Sequence, residues 1–357
     1  MLISVYVPLM VTVVLAVAVP WAAPRLAPRP AAWFLACAAP VTALGWLGSL
    51  ALLAFAGLVR LPEVAAEGQW SVAAVRAADP VSLTVAMAAA VTLPASVAGL
   101  AVAAVRQTRQ LRWARRECRR LPGGTELAVL DQESPDAFAL PGTPGRIVVS
   151  RGMLRCLDGR EREALLAHER AHLRGRHHRF QTVWRLSAAV NPLLRPLAGA
   201  GGFALERWAD EEAAARVGDR VVVAHAVGRA ALAASANRSR SVLAMTGGAV
   251  PRRVRALLGP PPPRRRLPFV AGAALLLVCC GSLTHAAFDS EQMIDTAHHA
   301  THERAEASAA RAPLMPTRAP VPASTPAPAP PGMPGHGPRP ELLRTAADLR
   351  EELAEPS

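Results

Sequence analysis

Three residues of this 357-residue chain have types and a spacing that can do chemistry: His168, Glu169 and His172, in the pattern H-E-x-x-H. On a helix, the two histidines lie one turn apart on the same face, so both imidazoles can reach one metal ion. Glu169 directly follows the first histidine and is placed to accept a proton from a water molecule that the metal activates. The pattern predicts a zinc-dependent peptidase with His168 and His172 as ligands and Glu169 as general base.

The surrounding sequence favours a helix that carries this motif over a chance match in a chain with ten histidines. Asp158 and Gly159 provide a helix start, and the residues from Arg160 to His172 include neither proline nor glycine. Leu165, Leu166 and Ala167 make the approach to the motif apolar, as a buried site requires.

An acidic cluster from Leu205 to Ala214 offers the third protein ligand that a catalytic zinc site needs beside its open position for water. Glu206 is the preferred ligand. Asp210, one helical turn later on the same face, can accept the free N–H of a ligand histidine. Glu211 and Glu212 are competing ligand candidates, and a solvated acidic face without a metal is the alternative.

Four apolar stretches have the length of a membrane-spanning helix: Leu2–Trp21, Ala31–Val59, Val81–Val105 and Pro268–Phe288. A cleaved signal peptide is the alternative for the first stretch. No Lys or Arg precedes it and further spans follow, which favours a retained anchor. Hydrophobic residues make up 51% of the chain and the formal net charge is +13, a combination more typical of a membrane protein with basic loops than of a nucleic-acid-binding protein.

The arginines predict how the spans are oriented. Arg25 and Arg29 lie in the first loop, seven arginines lie between Arg106 and Arg120, and Arg264 to Arg266 precede the last span. The positive-inside rule then places the first loop and residues 106–267 in the cytoplasm, with the N-terminus and residues 289–357 outside the cell membrane. The basic run from Arg106 to Arg120 indicates contact with anionic membrane lipid, and an acidic partner is the alternative. Direct contact with nucleic acid is not expected.

Two short β-prone runs, Leu127–Leu130 and Arg146–Ser150, enclose a Pro/Gly-rich stretch from Pro135 to Gly145 and predict a hairpin. Its edge can receive an extended peptide by strand addition, which would hold the backbone of a substrate. A hairpin that only covers the catalytic helix is the alternative.

Taken together, these motifs resemble those of the BlaR/MecR-type integral-membrane zinc metallopeptidases, antirepressor peptidases that are distantly related to the HtpX-type membrane proteases. The matching stretches are Ala137–Gly142, Ile147–Leu154, Ala164–His172 and Glu206–Asp210. The order of three spans, a peptidase domain and a last span is also similar.

The resemblance implies a gluzincin-like zinc site of His168, His172 and Glu206, with Glu169 catalytic. It also implies that the substrate binds along the strand formed by Ala137, Phe138, Ala139 and Leu140. Members of the family act on a protein substrate, so the implied partner is a cytoplasmic transcriptional repressor of the BlaI/MecI kind, which the peptidase inactivates.

The predicted fold class is α+β. About four transmembrane helices carry a cytoplasmic, mainly helical, zincin-like metallopeptidase domain over residues 106–267, with a small β-hairpin or sheet. The predicted function is zinc-dependent hydrolysis of peptide bonds in a repressor. Two alternatives stay open: an HtpX-like membrane quality-control protease, and a non-enzymatic membrane sensor with a structural zinc site. The presence of Glu169 argues against the sensor, because a structural site needs ligands but no base.

The end of the chain departs from the family pattern. Residues 289–357 hold no penicillin-binding module, since the chain lacks the lysine of Ser-x-x-Lys. The run from Ala312 to Pro340 is rich in proline and alanine, and residues 289–357 are predicted to form a largely disordered tail. Arginines around Pro251, namely Arg252, Arg253 and Arg255, are candidates for stabilising the oxyanion of the reaction.

Overall fold

The computed structural model describes residues 2–67, 70, 72, 81–121, 125–236, 248–262 and 266–311. The predicted Pro/Ala-rich tail from residue 312 onwards lies outside the described residues, as do Arg264 and Arg265 of the basic run before the last span.

Four helices are long and apolar enough to cross a membrane, as expected of a membrane protein. They are α1 (Leu2–Ala22), α2 (Pro28–Leu58), α4 (Leu83–Arg120) and α11 (Leu267–Arg311), and a short helix α3 (Pro62–Glu67) follows α2. Each of these four long helices covers all or nearly all of one apolar stretch of the sequence; α2 ends one residue before Val59, and α4 begins two residues after Val81. The side of the membrane that each loop faces stays a prediction.

Two of these helices extend well beyond their apolar stretches. Helix α4 continues through the arginine-rich run to Arg120, and α11 continues past Phe288 to Arg311. The prediction of a largely disordered tail is therefore wrong for residues 289–311. This stretch is rich in alanine and has neither proline nor glycine before Pro313, so its intrinsic helix propensity extends the apolar helix.

The remaining helices lie within residues 106–267, the segment that the sequence predicts to be cytoplasmic. They are α5 (Arg151–Cys156), α6 (Gly159–Arg174), α7 (His177–Val190), α8 (Arg195–Val217), α9 (Arg220–Ala236) and α10 (Ala249–Leu258). Helix α6 carries the H-E-x-x-H motif. It begins with a capping box in which the Asp158 side chain accepts from the Glu161 backbone while the Glu161 carboxylate accepts from the Asp158 backbone. Arg229 of α9 pairs with Glu161 at 2.9 Å, which ties the start of α6 to a distant helix.

The membrane helices and the peptidase helices share one hydrophobic cluster. Leu15 of α1 and Leu35 of α2 are buried in the same cluster as Trp184 of α7 and Leu205 of α8. Gly201 of α8 permits the close approach to Trp184, because a Cβ at this position would lie 2.7 Å from the indole ring. Helix α8, which supplies the acidic cluster, is therefore held directly against the first two membrane helices.

A three-stranded sheet has the order β1-β3-β2, with β1 at Leu127–Leu130, β2 at Ala137–Leu140 and β3 at Arg146–Ser150. The prediction of a hairpin between the first and last of these runs is wrong, because β1 and β3 are parallel. The intervening stretch contains the strand β2, which pairs antiparallel with β3 and forms the hairpin in its place. The predicted fold class, membrane helices with a mainly helical domain and a small sheet, is confirmed.

Candidate metal centre

Three side chains from two helices converge on one point. His168 and His172 project from the same face of α6, and Glu206 reaches them from α8. The Nε2 atoms of the two histidines are 3.1 Å apart. The Glu206 carboxylate is 3.6 Å from each histidine, through Oε2 to Nε2 of His168 and through Oε1 to Nε2 of His172.

This arrangement fits a zinc ion. Donors that bind zinc tetrahedrally at about 2.0–2.1 Å lie about 3.3 Å from one another, close to the separations in this cluster. Two imidazoles and one carboxylate are also the donor set of a catalytic zinc site, which uses three protein ligands and keeps one position for water. In the described part of the chain, these three residues form the one group of this kind that can hold a metal ion.

Asp210 and Arg253 support the His168 side of the centre. Nδ1 of His168 is buried 3.0 Å from Oδ1 of Asp210, close to it but out of line for a strong hydrogen bond. Arg253 of α10 donates to both Asp210 oxygens, from Nε at 2.8 Å and from Nη2 at 2.6 Å. Its Nη1 also lies 2.9 Å from Oε2 of Glu206, so one guanidinium holds the predicted ligand and its predicted supporting residue together.

His177 supports the other side. Its Nδ1 lies 2.8 Å from Nδ1 of His172, so the nitrogen of His172 that faces away from the centre has a hydrogen-bonding partner. The His177 ring packs against Trp208, with 4.6 Å between ring centroids. The turn between α6 and α7 brings it into place: Arg176 has a φ of 50°, and a Cβ on Gly175 would lie 2.4 Å from Nε2 of His177. Only glycine leaves room for this close turn.

The surroundings of the centre shift the pKa values of the two ligand histidines in opposite directions. Burial acts to lower the pKa of His168, but Asp210 and Glu206 raise this pKa to about 10. Burial and the nearby His168 charge lower the pKa of His172 to about 4. Burial likewise lowers the pKa of His177, to about 3. The Asp210 and Glu206 carboxylates thus favour a positive charge beside His168, and a divalent cation would supply one.

Glu169 is buried beside the ligands without being one of them, because its neighbour His168 points toward the cluster and consecutive helical residues diverge by about 100°. Burial raises the pKa of its carboxyl group. A carboxyl group with a raised pKa accepts and releases a proton near neutral pH more readily than an exposed one. The backbone of Ala139 in β2 acts to lower this pKa, against the larger effect of burial, so the sheet edge lies beside the base.

Strand β2 presents a free edge beside Glu169. Ser150 N donates to Asp136 O, and in an antiparallel ladder this makes Phe138 and Leu140 the hydrogen-bonded partners of β3. The backbone groups of Ala137 and Ala139 consequently point to the outer edge, where no other strand pairs within the described residues. The side chain of Leu140 is buried against α4 and its backbone pairs with β3, so this predicted substrate residue does not face the outer edge.

A cavity of about 260 Å³ opens between this edge and the helices. His168, Glu169, Glu206 and Arg253 line one part of it. The rest is apolar and comes largely from α9, with Val223, Ala226, Val227, Ala230 and Ala231.

The competing ligand candidates of the sequence lie elsewhere. Glu211 pairs with Arg220 at 2.6 Å, and Glu212 lines a separate cavity next to Arg29. Of the three arginines considered for the oxyanion, Arg252 stacks on Phe203 at 4.3 Å and Arg255 is exposed. Arg253 reaches the centre, but two carboxylates engage its guanidinium, so its observed contacts assign it to holding them.

The role of His177 was missed by the sequence analysis. No motif marks a histidine five residues beyond the H-E-x-x-H pair, and only the tight turn at Gly175 and Arg176 brings it back to His172. The available signal was Gly175, a helix-breaking residue three positions after His172.

Comparisons with known proteins indicate a family of metallopeptidases. Residues 103–240, less than half of the chain, match the family model of peptidase family M48. A protease HtpX homolog from Dictyoglomus thermophilum is 42% identical over 60 residues, which are 16% of this chain and 20% of the relative. The chain thus aligns with about a fifth of the length of that curated relative. No solved structure matches it. The family match, the three converging ligands and the apolar helices together support a membrane metallopeptidase of the M48 kind.

Proposed function

We propose that this protein is an integral-membrane zinc metalloendopeptidase in which His168, His172 and Glu206 hold the metal ion. The observation that carries the proposal is the convergence of these three donors at separations of 3.1–3.6 Å beside a buried glutamate that is not a ligand. A purely structural zinc site is closed by four protein ligands and needs no base, whereas this site offers three ligands and Glu169.

The side chains divide the work of peptide hydrolysis. Zinc, when bound, acts as a Lewis acid on the water and on the scissile carbonyl. Glu169 accepts the proton of the attacking water and passes it to the leaving amine, a role suited to a carboxyl group whose pKa is raised by burial. Asp210 and Arg253 keep His168 and Glu206 in position, and His177 does the same for His172.

The substrate binds as an extended strand along the edge of β2. The outward carbonyl groups of Ala137 and Ala139 can accept hydrogen bonds from a peptide backbone regardless of its side chains. The backbone amide of Ala137 already donates to Oδ1 of Asp136. The apolar cavity under α9, with a volume of about 260 Å³, accommodates one aliphatic side chain of that peptide next to Glu169. This arrangement fits a protein substrate with an unfolded or flexible segment.

A cytoplasmic transcriptional repressor of the BlaI/MecI kind is the proposed physiological substrate, on the basis of the motif resemblance and the predicted cytoplasmic location of residues 106–267. The identity with a protease HtpX homolog favours a second candidate, an HtpX-like protease of membrane quality control. Cleavage of a repressor at one site supports the first function. Broad cleavage of unfolded membrane proteins supports the second.

The peptidase is tested by Glu169→Gln in the full-length protein, with Glu163→Gln as the matched control. Glutamine keeps the shape of Glu169 but cannot accept the proton, so cleavage of an unfolded protein such as casein should fall by roughly 100-fold or more. Glu163 is exposed on the same helix α6, and its exchange should leave cleavage and zinc content unchanged. Zinc content of Glu169→Gln, measured by elemental analysis, should equal that of the parent. Cleavage by Glu169→Gln at the parental rate would exclude Glu169 as the base.

A further inference from the structure

A second, larger cavity lies away from the metal centre, where the start of α2 meets the turn between α6 and α7. It has a volume of about 600 Å³. Arg29 and Trp33 line it from α2. Arg174 lines it from the end of α6, Arg176 from the turn and Arg179 from the first turn of α7. The cavity therefore joins a membrane helix to the peptidase helices.

Its charge is strongly unbalanced. The four arginines are exposed, and within the described residues none of them has an ion pair or a side-chain hydrogen bond. Glu212 is the one acidic residue of the lining. Four guanidinium groups around one cavity form a strong site for an anion, because each can donate two parallel hydrogen bonds to phosphate oxygens.

The positive surface continues past this cavity toward α4. A neighbouring cavity of about 770 Å³ shares Arg174, Arg176 and Arg179 and adds Arg115. Glu126 also lines this neighbouring cavity. It lies 3.0 Å from Arg170, which already balances its negative charge. The positive surface thus extends from the start of α2 to the basic part of α4.

The floor of the 600 Å³ cavity is aromatic. Phe180 and Trp208 are buried beneath the arginines, and Trp33 is half exposed at the rim. The guanidinium of Arg29 lies 5.2 Å from the centre of the Trp208 ring. A ligand with an anionic head and an apolar body matches a cavity that has arginines on one side and indole and phenyl rings on the other.

The location of the cavity identifies the source of such a ligand. Trp33 lies near the start of α2, and Trp21 is exposed near the end of α1 with the Arg25 guanidinium 4.1 Å from its ring. Both helices are long and apolar enough to cross a membrane, and tryptophan and arginine concentrate where such helices enter the headgroup layer. These residues place the cavity at the level expected for the lipid headgroups.

We propose that this cavity binds the phosphate headgroup of an anionic membrane phospholipid. Arg29, Arg174 and Arg179 hold the phosphate, and the glycerol and upper acyl carbons lie against Trp33 and Phe180. A phosphate-bearing lipid explains both the arginines and the rings at the end of a membrane helix. An acidic peptide or a nucleic acid would use the charge but would have no need of the membrane position. The proposal does not depend on the peptidase activity.

The test uses full-length protein in a neutral detergent and measures retained phospholipid by native mass spectrometry. Phosphatidylglycerol, phosphatidylcholine and inorganic phosphate serve as separate probes. The triple variant Arg29→Gln/Arg174→Gln/Arg179→Gln removes three charges from the cavity. It leaves Arg176 in place, because a φ of 50° makes that position sensitive to substitution. The matched control, Arg162→Gln/Arg216→Gln/Arg255→Gln, removes three exposed charges from α6, α8 and α10 that line neither cavity and lie outside the basic run of α4.

The expected result is that the parent and the control retain phosphatidylglycerol in preference to phosphatidylcholine, and that the cavity variant binds it at least about tenfold more weakly. Inorganic phosphate should not displace the lipid at equal concentration. Equal weakening in the control, or unchanged binding in the cavity variant, would overturn the site. Displacement by inorganic phosphate, or tighter binding of an anionic peptide or oligonucleotide than of lipid, would overturn the lipid as its ligand.

Discussion

The two ligand histidines of the metal centre, His168 and His172, are supported by different kinds of residue. On one side, His168 is supported by charged residues from distant parts of the chain, Asp210 of α8 and Arg253 of α10. On the other side, His172 is supported by the neutral His177, which is its near neighbour in sequence. The same ligand type is thus held once by long-range ionic contacts and once by a local turn.

The difference shows where the centre depends on the rest of the fold. Arg253 lies between the buried Asp210 carboxylate and the partly buried Glu206 carboxylate and offsets the cost of placing them there. This side can form only after α6, α8 and α10 have packed together. The His172 side is complete once α6 turns into α7, since Gly175 and Arg176 set the position of His177. Substitutions on the two sides should therefore have effects of different size and kind.

The largest effect is expected for Arg253→Met, which removes the cation that pairs with the buried Asp210 carboxylate and the partly buried Glu206 carboxylate. Breaking such a group by deleting one partner destabilises a protein by about 3–5 kcal/mol, so the metal-free variant should unfold at a markedly lower temperature. Zinc supplies positive charge to the same carboxylates, and it should raise the unfolding temperature of the variant more than that of the parent. Thermal unfolding of the full-length protein with and without zinc measures both effects.

Arg252→Met is the control for this experiment. Arg252 is adjacent in sequence but exposed and stacked on Phe203, so its loss should change the unfolding temperature little. If Arg253→Met matches Arg252→Met in stability, the charged side does not depend on Arg253 as described.

A smaller effect is expected for Asp210→Asn. The amide keeps the shape of the side chain but removes the negative charge beside Nδ1 of His168, and it weakens the pairing with Arg253. Changes of this kind typically reduce metal affinity or activity by roughly 10- to 100-fold. Competition with a chromogenic zinc chelator measures the affinity, and parental affinity in this variant would remove Asp210 from the account.

The smallest effect is expected for His177→Phe. Phenylalanine keeps the packing on Trp208 but cannot accept a hydrogen bond from His172. The lost partner is neutral, because burial keeps the pKa of His177 near 3. Zinc affinity should therefore fall by about tenfold or less, below the effect of Asp210→Asn. A larger loss in His177→Phe than in Asp210→Asn, measured with the same chelator, would reverse the comparison between the two sides.

Parts of this centre were predictable because they follow local rules. Neighbouring residues alone determine the spacing of His168 and His172 and the helix start at Asp158. The helical phase of α8 likewise favoured Glu206 and Asp210 over Glu211 and Glu212. Arg253 could be named only as one of three arginines, because its contacts depend on how α10 packs against α8. The parallel pairing of β1 with β3 was also beyond local rules, since it depends on which strand fills the centre of the sheet.

We propose that His168, His172 and Glu206 together hold one zinc ion. Elemental analysis of zinc in purified full-length protein tests it most directly, with Glu206→Gln compared against Glu212→Gln. A neutral amide is a poor zinc ligand, so the parent and Glu212→Gln should hold about one zinc per chain, while Glu206→Gln should hold far less. Full zinc content in Glu206→Gln, with loss in Glu212→Gln, would contradict the assignment of the third ligand.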